Sequence, residues 1–251
     1  MVTATADVIV VEASWEKGVI SAALSDDKLA ALLFRGRIVI LKRAVAPELV
    51  LRLREALTQW AKHHDPFPHG SSPREQPEVN YHRVDDGKIA SSIPHLFHQF
   101  GLNSIEELDA DLSGSAETIR TALRGLQNRV AGTRFVFSPH ELRLKVLHYP
   151  AGGGYLAQHV HPLEPQRVGL ILSASRIGGD VVTGGTYFET PAGRVDTSRA
   201  HDIGDVILFR YDIPHGVAAV DPGSSLEWHS DVGKWSIVLD LSETHTRSQE
   251  T

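Results

Sequence analysis

From about Phe135 to Leu241 the apolar residues recur at every second position, in short segments broken by Gly, Pro and Asp. "ELRLKVLHY" alternates, "RVGLILSAS" is a continuous apolar run, and "GGTYFET", "DVILFRY" and "KWSIVLDL" are brief and punctuated at their ends. A period of two belongs to a half-buried strand, and a short unbroken apolar run to a strand covered on both faces. Many short strands with turn residues between them leave few architectures, because sheet edges must be covered or closed. The pattern predicts a β-sandwich or barrel.

Ahead of that region the period is helical. "SDDKLAALLF" opens on a cap-type residue, Ser25, and stops at Gly36. "RIVIL", Arg37 to Leu41, reads as a short strand. "APELVLRLREALTQWAKHH", Ala46 to His64, carries Leu49, Leu51, Leu53, Leu57 and Trp60 at mostly helical spacing and a basic last turn, as the helix dipole prefers. "SIEEL" offers a capping box from Ser104 to Glu107, and "SAETIRTALRGLQNRVAG" is an amphipathic helix closed by Gly132. Between these helices, Asp65 to Pro94 is rich in Pro, Gly, Ser and charge. A loop of that length is a lid, a binding loop or a disordered tether; in the first two cases Asn80, Tyr81, His82 and Arg83 are the expected contacts to a polar substrate, and otherwise they fix the loop's own turn. The chain therefore reads as one α+β domain over 1–251. It comprises a mainly helical region 1–134, an antiparallel barrel core 135–241 with the helices outside it, and a frayed tail 242–251.

Composition narrows the chemistry. The chain has no cysteine, which excludes disulfides, thiolate nucleophiles, iron–sulfur clusters and Cys-type zinc sites. A formal charge of −6 without a Lys/Arg cluster speaks against a nucleic-acid partner. No apolar stretch has the length of a membrane span. "MVTATADVIVVEASW" has no basic start and only a short apolar run, so no signal peptide, no membrane partner and a cytoplasmic location are expected. Fourteen histidines is a high count for this length, most of them expected at the surface or in structural hydrogen bonds and a handful available as ligands.

Two lie one residue apart in "YLAQHVHP". On a strand, positions i and i+2 share a face, so His159 and His161 would present two imidazoles side by side, with Val160 turned into packing. "DIPHGVAAVDPG" supplies His215 from a distant strand. A close pair plus one remote residue is the arrangement of a 2-His-1-carboxylate metal site or of a three-histidine relative, with positions open for substrate and dioxygen. Each piece alone also fits a structural histidine. What joins them is their order, the glycine run Gly152–Gly154 before the pair, and the strand "GDVILF" before His215.

Residues 142–241 resemble the core of the iron(II)- and 2-oxoglutarate-dependent oxygenases. That family reads His-x-Asp, then Gly-Asp-x-x-x-Phe, then His-x-Val-x-x-Val, then Arg or Lys followed closely by Ser. The matching segments here are His159-Val160-His161, "GGTYFE" at 184–189, "GDVILF" at 204–209, "HGVAAV" at 215–220 and "GKWS" at 233–236. The resemblance implies a double-stranded β-helix, a jelly-roll or cupin-like barrel with N-terminal helices packed outside. It implies Fe(II), 2-oxoglutarate and dioxygen as cofactor and cosubstrates. It places the metal on His159, His161 and His215, and sets Lys234 and Ser236 against the distal carboxylate of 2-oxoglutarate. Arg143, Lys145 and Tyr155 are further candidates on neighbouring strands for holding the cosubstrate or the substrate, and Arg210 is the fallback for Lys234. The implied activity is attack on a C–H bond of a small polar molecule, such as an amino acid or a natural-product intermediate.

Two departures stand out. His161 occupies the place of the family's Asp, or less often Glu, and removes a negative charge; Glu164 or Asp180 would have to substitute if His161 turned away. The interval between His215 and Lys234 is also longer than usual, and "DPGSSLEWHSDVG" looks like a hairpin insertion. Two alternatives follow. "GYLAQHVHPLE" is partly similar to the His-x-His then Glu pattern of cupins, which implies a three-histidine dioxygenase that does not use 2-oxoglutarate. A barrel that has lost its carboxylate could instead be a catalytically lapsed binding module. A hydrolytic zinc site finds no general base beside the pair.

Overall fold

A computed structural model describes residues 4–5, 7–63, 79–84, 93–102, 110–136, 142–227 and 230–241, with the backbone alone for 4–5, 79–84 and 110–111. The elements run β1 (Ala4–Thr5), β2 (Val8–Glu16), β3 (Val19–Ala22), α1 (Asp26–Phe34), β4 (Ile38–Lys42) and α2 (Pro47–Ala61). Then come β5 (Val79–Val84), β6 (His95–Leu102), α3 (Ala110–Ala131), β7 (Leu142–Pro150), β8 (Gly154–His159) and β9 (Val168–Ser173). The last are β10 (Gly185–Thr190), β11 (Gly193–Asp196), β12 (Val206–Arg210), β13 (His215–Val220) and β14 (Gly233–Leu241).

The strands form two facing layers. The larger has the order β1-β2-β4-β12-β9-β14-β7-β6, with β3 added to β2 and β5 to β6; the smaller has β8-β13-β10-β11. β6 joins the layers by pairing with both β7 and β8, and the hydrogen-bonded path does not close on itself. Neighbouring strands are antiparallel except β2 and β4. This is the expected double-stranded β-helix, left open rather than closed.

β14 shows how the alternating pattern builds both cores. Trp235, Ile237, Leu239 and Leu241 lie in the core between the larger sheet and the helices. The intervening Lys234, Ser236, Val238 and Asp240 face the space between the sheets, where Val238 packs with Ile171, Ile207 and Phe188. α3 covers the outer face with Leu112, Ala116, Ile119, Leu123, Leu126 and Val130, a spacing of three and four that makes one apolar stripe. α1 ends in a Schellman arrangement, Gly36 N–H to Leu33 O at 2.8 Å and Arg37 N–H to Leu32 O at 3.1 Å. That arrangement needs the left-handed φ of +81° that Gly36 supplies.

The strands expected at 142–241 form where the alternation places them, whereas the N-terminal region differs from its expectation. Strands β1–β3, β5 and β6 are interleaved with its helices. β2 gains its partners from β4 and β3, and β6, a stretch given no element from sequence, carries two histidines that break its alternation. Ser25 stands at the N-cap of α1, but its side chain makes no capping hydrogen bond. α2 begins on Pro47 and ends at Ala61, so Lys62 and His63 fall beyond it and its last turn is not basic. Part of the expected loop 65–94 is strand β5, paired with β6 from Val79↔Leu102 to Val84↔Phe97. The capping box at 104–107 and the tail 242–251 lie outside the described residues. Of the expected hairpin insertion, the described residues 221–227 and 230–232 contain no strand, and the segment connects β13 to β14 across the two layers. Among the described residues no helix is long and apolar enough to cross a membrane.

Candidate metal centre

β8 ends on His159, β13 begins on His215, and the two residues are register partners. The next pairing on β13, Val217, meets Leu156, so β8 carries one extra residue there. Such a bulge re-aims a side chain, and here both Leu156 and His159 turn toward the space between the sheets. His161 lies past the end of β8. The expectation that it shares a strand face with His159 is therefore corrected, and Val160 is 55% exposed rather than packed. The three rings nevertheless converge. Their centroids are 4.3 Å apart for His159–His215, 4.9 Å for His159–His161 and 5.4 Å for His161–His215. One nitrogen from each lies within 4.8 Å of the other two.

Which nitrogen is available follows from the backbone. Nδ1 of His159 lies 3.0 Å from Ala157 O, and Nδ1 of His215 lies 2.9 Å from Ile213 O. A carbonyl only accepts, so each Nδ1 carries the proton and each Nε2 keeps a lone pair for a ligand. Burial, reinforced by the adjacent His159 and His161, holds His215 well below the ordinary histidine pKa and therefore neutral. Neutral imidazole is the form that binds a metal.

Aromatic rings wall the cluster. Phe209 meets His215 edge-on at 4.7 Å and Phe188 stacks on it at 5.9 Å. Phe209 fits because its register partner on β9 is Gly169, where a Cβ would come within 2.3 Å of the ring. Tyr211 lies flat on His161, centroids 4.2 Å apart and planes 3° from parallel. Its hydroxyl donates to Asp240 Oδ1 at 3.3 Å, and Asp240 is ion-paired with Lys145.

The start of β14 holds a second polar group. Lys234 is 5% exposed and sits opposite Tyr149. Burial pulls its ammonium down to about 8, partly offset by Asp196. The hydroxyls Ser236 Oγ and Thr186 Oγ1 are buried without a hydrogen-bond partner among the described residues. Buried polar atoms are normally paired, and Ser236 lies on the same face of β14 as the desolvated ammonium, so this face marks a place for an anion. His201 is held neutral, its pKa lowered to about 3 by burial and then by Lys234.

The remaining candidates are distributed unevenly. Arg143 and Lys145 share the inner face of β7 near Asp240. Tyr155 is half-buried on the face of β8 opposite to Leu156, away from the interior. Arg210 aligns with the outward set Val206 and Leu208 and is bound to Asp212, so it does not reach the interior. Glu164 pairs with Arg167 and Asp180 with Arg54, and neither approaches the histidines as a fourth donor. Asn80, Tyr81, His82 and Arg83 lie on β5, with Asn80 opposite Gly101 and Gly101 opposite Lys145. The aspartate of "GDVILF" is structural: Asp205 accepts Arg43 N–H and Asp202 N–H, both at 2.8 Å, and is ion-paired with Lys42.

Sequence reading missed Tyr211, Asp240, Thr186 and His201. Asp240 and Lys145 left a signal, since each is a charged residue inside an alternating apolar strand, at a position whose neighbours two residues away turn inward. Tyr211 left none, because it lies in a connection after β12.

No family model and no curated relative matches the chain. Solved structures do. A prolyl hydroxylase from Trichoplax adhaerens, in complex with a hypoxia inducible factor peptide fragment, aligns at 12% identity over 90% of this chain and 92% of its own, TM-score 0.57. An oxidoreductase of the 2OG-Fe(II) oxygenase family from Burkholderia pseudomallei aligns at 15% identity over 94% and 95%, TM-score 0.50. The epimerase SnoN, in complex with Fe3+, alpha ketoglutarate and nogalamycin RO, aligns at 14% identity over 85% and 82%, TM-score 0.52. At these identities the likeness establishes the double-stranded β-helix fold.

Proposed function

We propose that this chain is a non-haem Fe(II)- and 2-oxoglutarate-dependent oxygenase that acts on a C–H bond of a small polar molecule, an amino acid or a natural-product intermediate. The observation that carries the reading is the convergence of three imidazole nitrogens within 4.8 Å inside a double-stranded β-helix. The donor set fits the metal. His159 and His215 present lone pairs fixed by their Nδ1 bonds, and His161 completes a three-nitrogen shell. A shell of neutral nitrogens contributes no negative charge, so it suits a divalent ion with an anionic co-ligand. The interior also fits that co-ligand: Lys234 is a buried ammonium, with Ser236 Oγ and Thr186 Oγ1 as unpartnered hydroxyls. The SnoN complex, which holds alpha ketoglutarate on the same fold, supports that choice.

Bound Fe(II), with 2-oxoglutarate and dioxygen, supplies the oxidising power for C–H attack. The chain's own contribution is placement. Lys234 would neutralise the distal carboxylate of the cosubstrate, and the hydroxyls of Ser236 and Thr186 would donate to it. Phe188, Phe209 and Tyr149, each at most 2% exposed, exclude water from the interior. Arg143 and Lys145, and residues Asn80–Arg83 on β5, are proposed to contact the substrate.

The missing carboxylate favours a second reading, a three-histidine dioxygenase that does without 2-oxoglutarate. One experiment separates them. Anaerobic addition of Fe(II) and 2-oxoglutarate should give the visible absorbance band of a metal–keto acid chelate, and air should then release succinate. Lys234→Ala should lose both signals. Iron binding with no band and no succinate, unchanged by Lys234→Ala, selects the second reading. A protein that binds neither Fe(II) nor 2-oxoglutarate is a lapsed barrel.

A further inference from the structure

The proposed ligand set is held unevenly. His159 and His215 stand on paired strands, with each Nδ1 tied to a carbonyl two residues back. His161 follows the end of β8, beside the exposed Val160, where no strand ladder sets its direction. Its ring lies face to face on Tyr211, parallel to within 3° at 4.2 Å. Tyr211 is itself held at both ends. It is 4% exposed, its backbone N–H donates to Arg167 O at 3.0 Å, and its hydroxyl donates to Asp240 Oδ1 at 3.3 Å. Asp240 is in turn ion-paired through Oδ2 with Lys145, and the two side chains are 7% and 13% exposed.

We infer that Tyr211, braced by Asp240 and Lys145, is the positioning residue that makes His161 the third metal ligand. This rests on the reading that the three histidines bind a metal. A face-to-face ring limits the tilt and swing of a side chain on a connecting segment, so part of the entropy of ordering His161 is lost at folding rather than at metal binding. The electronics point the same way. A metal-bound imidazole gains positive character, and a phenol whose O–H donates to a carboxylate is electron-rich, so stacking between them strengthens on metal binding. A buried Lys–Asp pair is costly to desolvate and contributes little net stability, which leaves specificity of placement as its use here.

Co(II) titration of the metal-free protein tests this without turnover, since its d–d bands report coordination directly. Wild type, His161→Ala, Tyr211→Leu, Tyr211→Phe and the double variant Tyr211→Leu/His161→Ala are compared. Tyr211→Leu should weaken Co(II) binding about 10–100-fold, the usual range for an outer partner of a metal ligand. It should also move the bands to those of His161→Ala. Tyr211→Phe, which keeps the stack and loses the tether, should cost several-fold. In the double variant the leucine should add nothing to the loss from His161→Ala, because it acts through that ring. Wild-type bands and affinity in Tyr211→Leu, or losses that add in the double variant, overturn the inference while leaving the metal site standing. A wild type that binds no Co(II) overturns the metal reading and this inference with it. Should the leucine variant melt below the assay temperature, Tyr211→Phe and Asp240→Asn decide: a several-fold loss of Co(II) affinity that disappears in the His161→Ala background supports the brace, and wild-type affinity in both overturns it.

Discussion

His159 and His215 on the inner face, and His98 and His148 under the helices, are both pairs of imidazoles on neighbouring strands, with ring centroids 4.3 Å and 5.4 Å apart. They differ in what surrounds each ring. In the first pair Nδ1 is committed to a carbonyl and Nε2 faces a third histidine. In the second, Nε2 of His148 meets Val232 O at 3.2 Å, so that nitrogen carries the proton. The His148 ring face lies on Trp235 at 4.3 Å, and the Arg54 guanidinium stands 5.7 Å from the same indole. Burial lowers the His148 pKa to about 3, against a small upward pull from its carbonyl contact. Proximity of two histidines is therefore common to a candidate metal centre and a packed core. The nitrogen left over and the presence of a third donor separate them.

The sharpest way to break that contrast is to remove one ring from each pair. His215→Ala should weaken Co(II) or Fe(II) binding by more than about 1000-fold, roughly 4 kcal/mol, and abolish any turnover. The equivalent truncation on the other side, His148→Ala, should leave metal affinity within a factor of two by titration. It should instead cost about 3 kcal/mol in urea unfolding, since it opens a cavity against Trp235. Equal effects of the two variants on metal binding would erase the distinction.

Lys234 extends the comparison to charge. The unfolded chain keeps the lysine proton to its ordinary pKa of 10.5, whereas the folded site releases it near 8. Between those values the unfolded state binds more protons, so the stability of the metal-free protein should rise with pH across that window. Lys234→Met should flatten that rise and stabilise the metal-free protein at pH 7 by about 2 kcal/mol, as replacing a buried uncompensated charge does. The same variant should lose 2-oxoglutarate binding, measured by the chelate band. The smallest effect belongs to the helix side: Arg54→Met should cost about 1.5 kcal/mol through the lost contact to Trp235, the ion pair with Asp180 and the hydrogen bond to Ala174 O, with no change in Co(II) bands.

Much of the barrel was legible because strands covered on one or both faces write their burial into the order of residues. β7, β9, β10, β12 and β14 appear where alternation or an apolar run placed them. β6 was not legible, because His95, His98 and Gln99 interrupt any alternation and its burial comes from neighbours. β5 lies among Pro, Gly and charge and is a strand only because β6 offers an edge. In the site, the three histidines could be named from spacing and motif order. The reason given for pairing His159 with His161 was a shared strand face, and the fold replaces it with a bulge, a connecting segment and a stacked tyrosine.

Sequence alone determined the strand-rich half, the amphipathic helices that cover it, and the residue types available for chemistry, because those follow from local periodicity and composition. Tertiary structure decided which histidines meet, which nitrogen each one offers, and that Asp240 and Lys145 stand behind the third. Those outcomes depend on strand register and on contacts between residues as much as 95 positions apart. The free energy of bringing such residues together is set by the whole packed sheet, and no window of neighbouring residues records it.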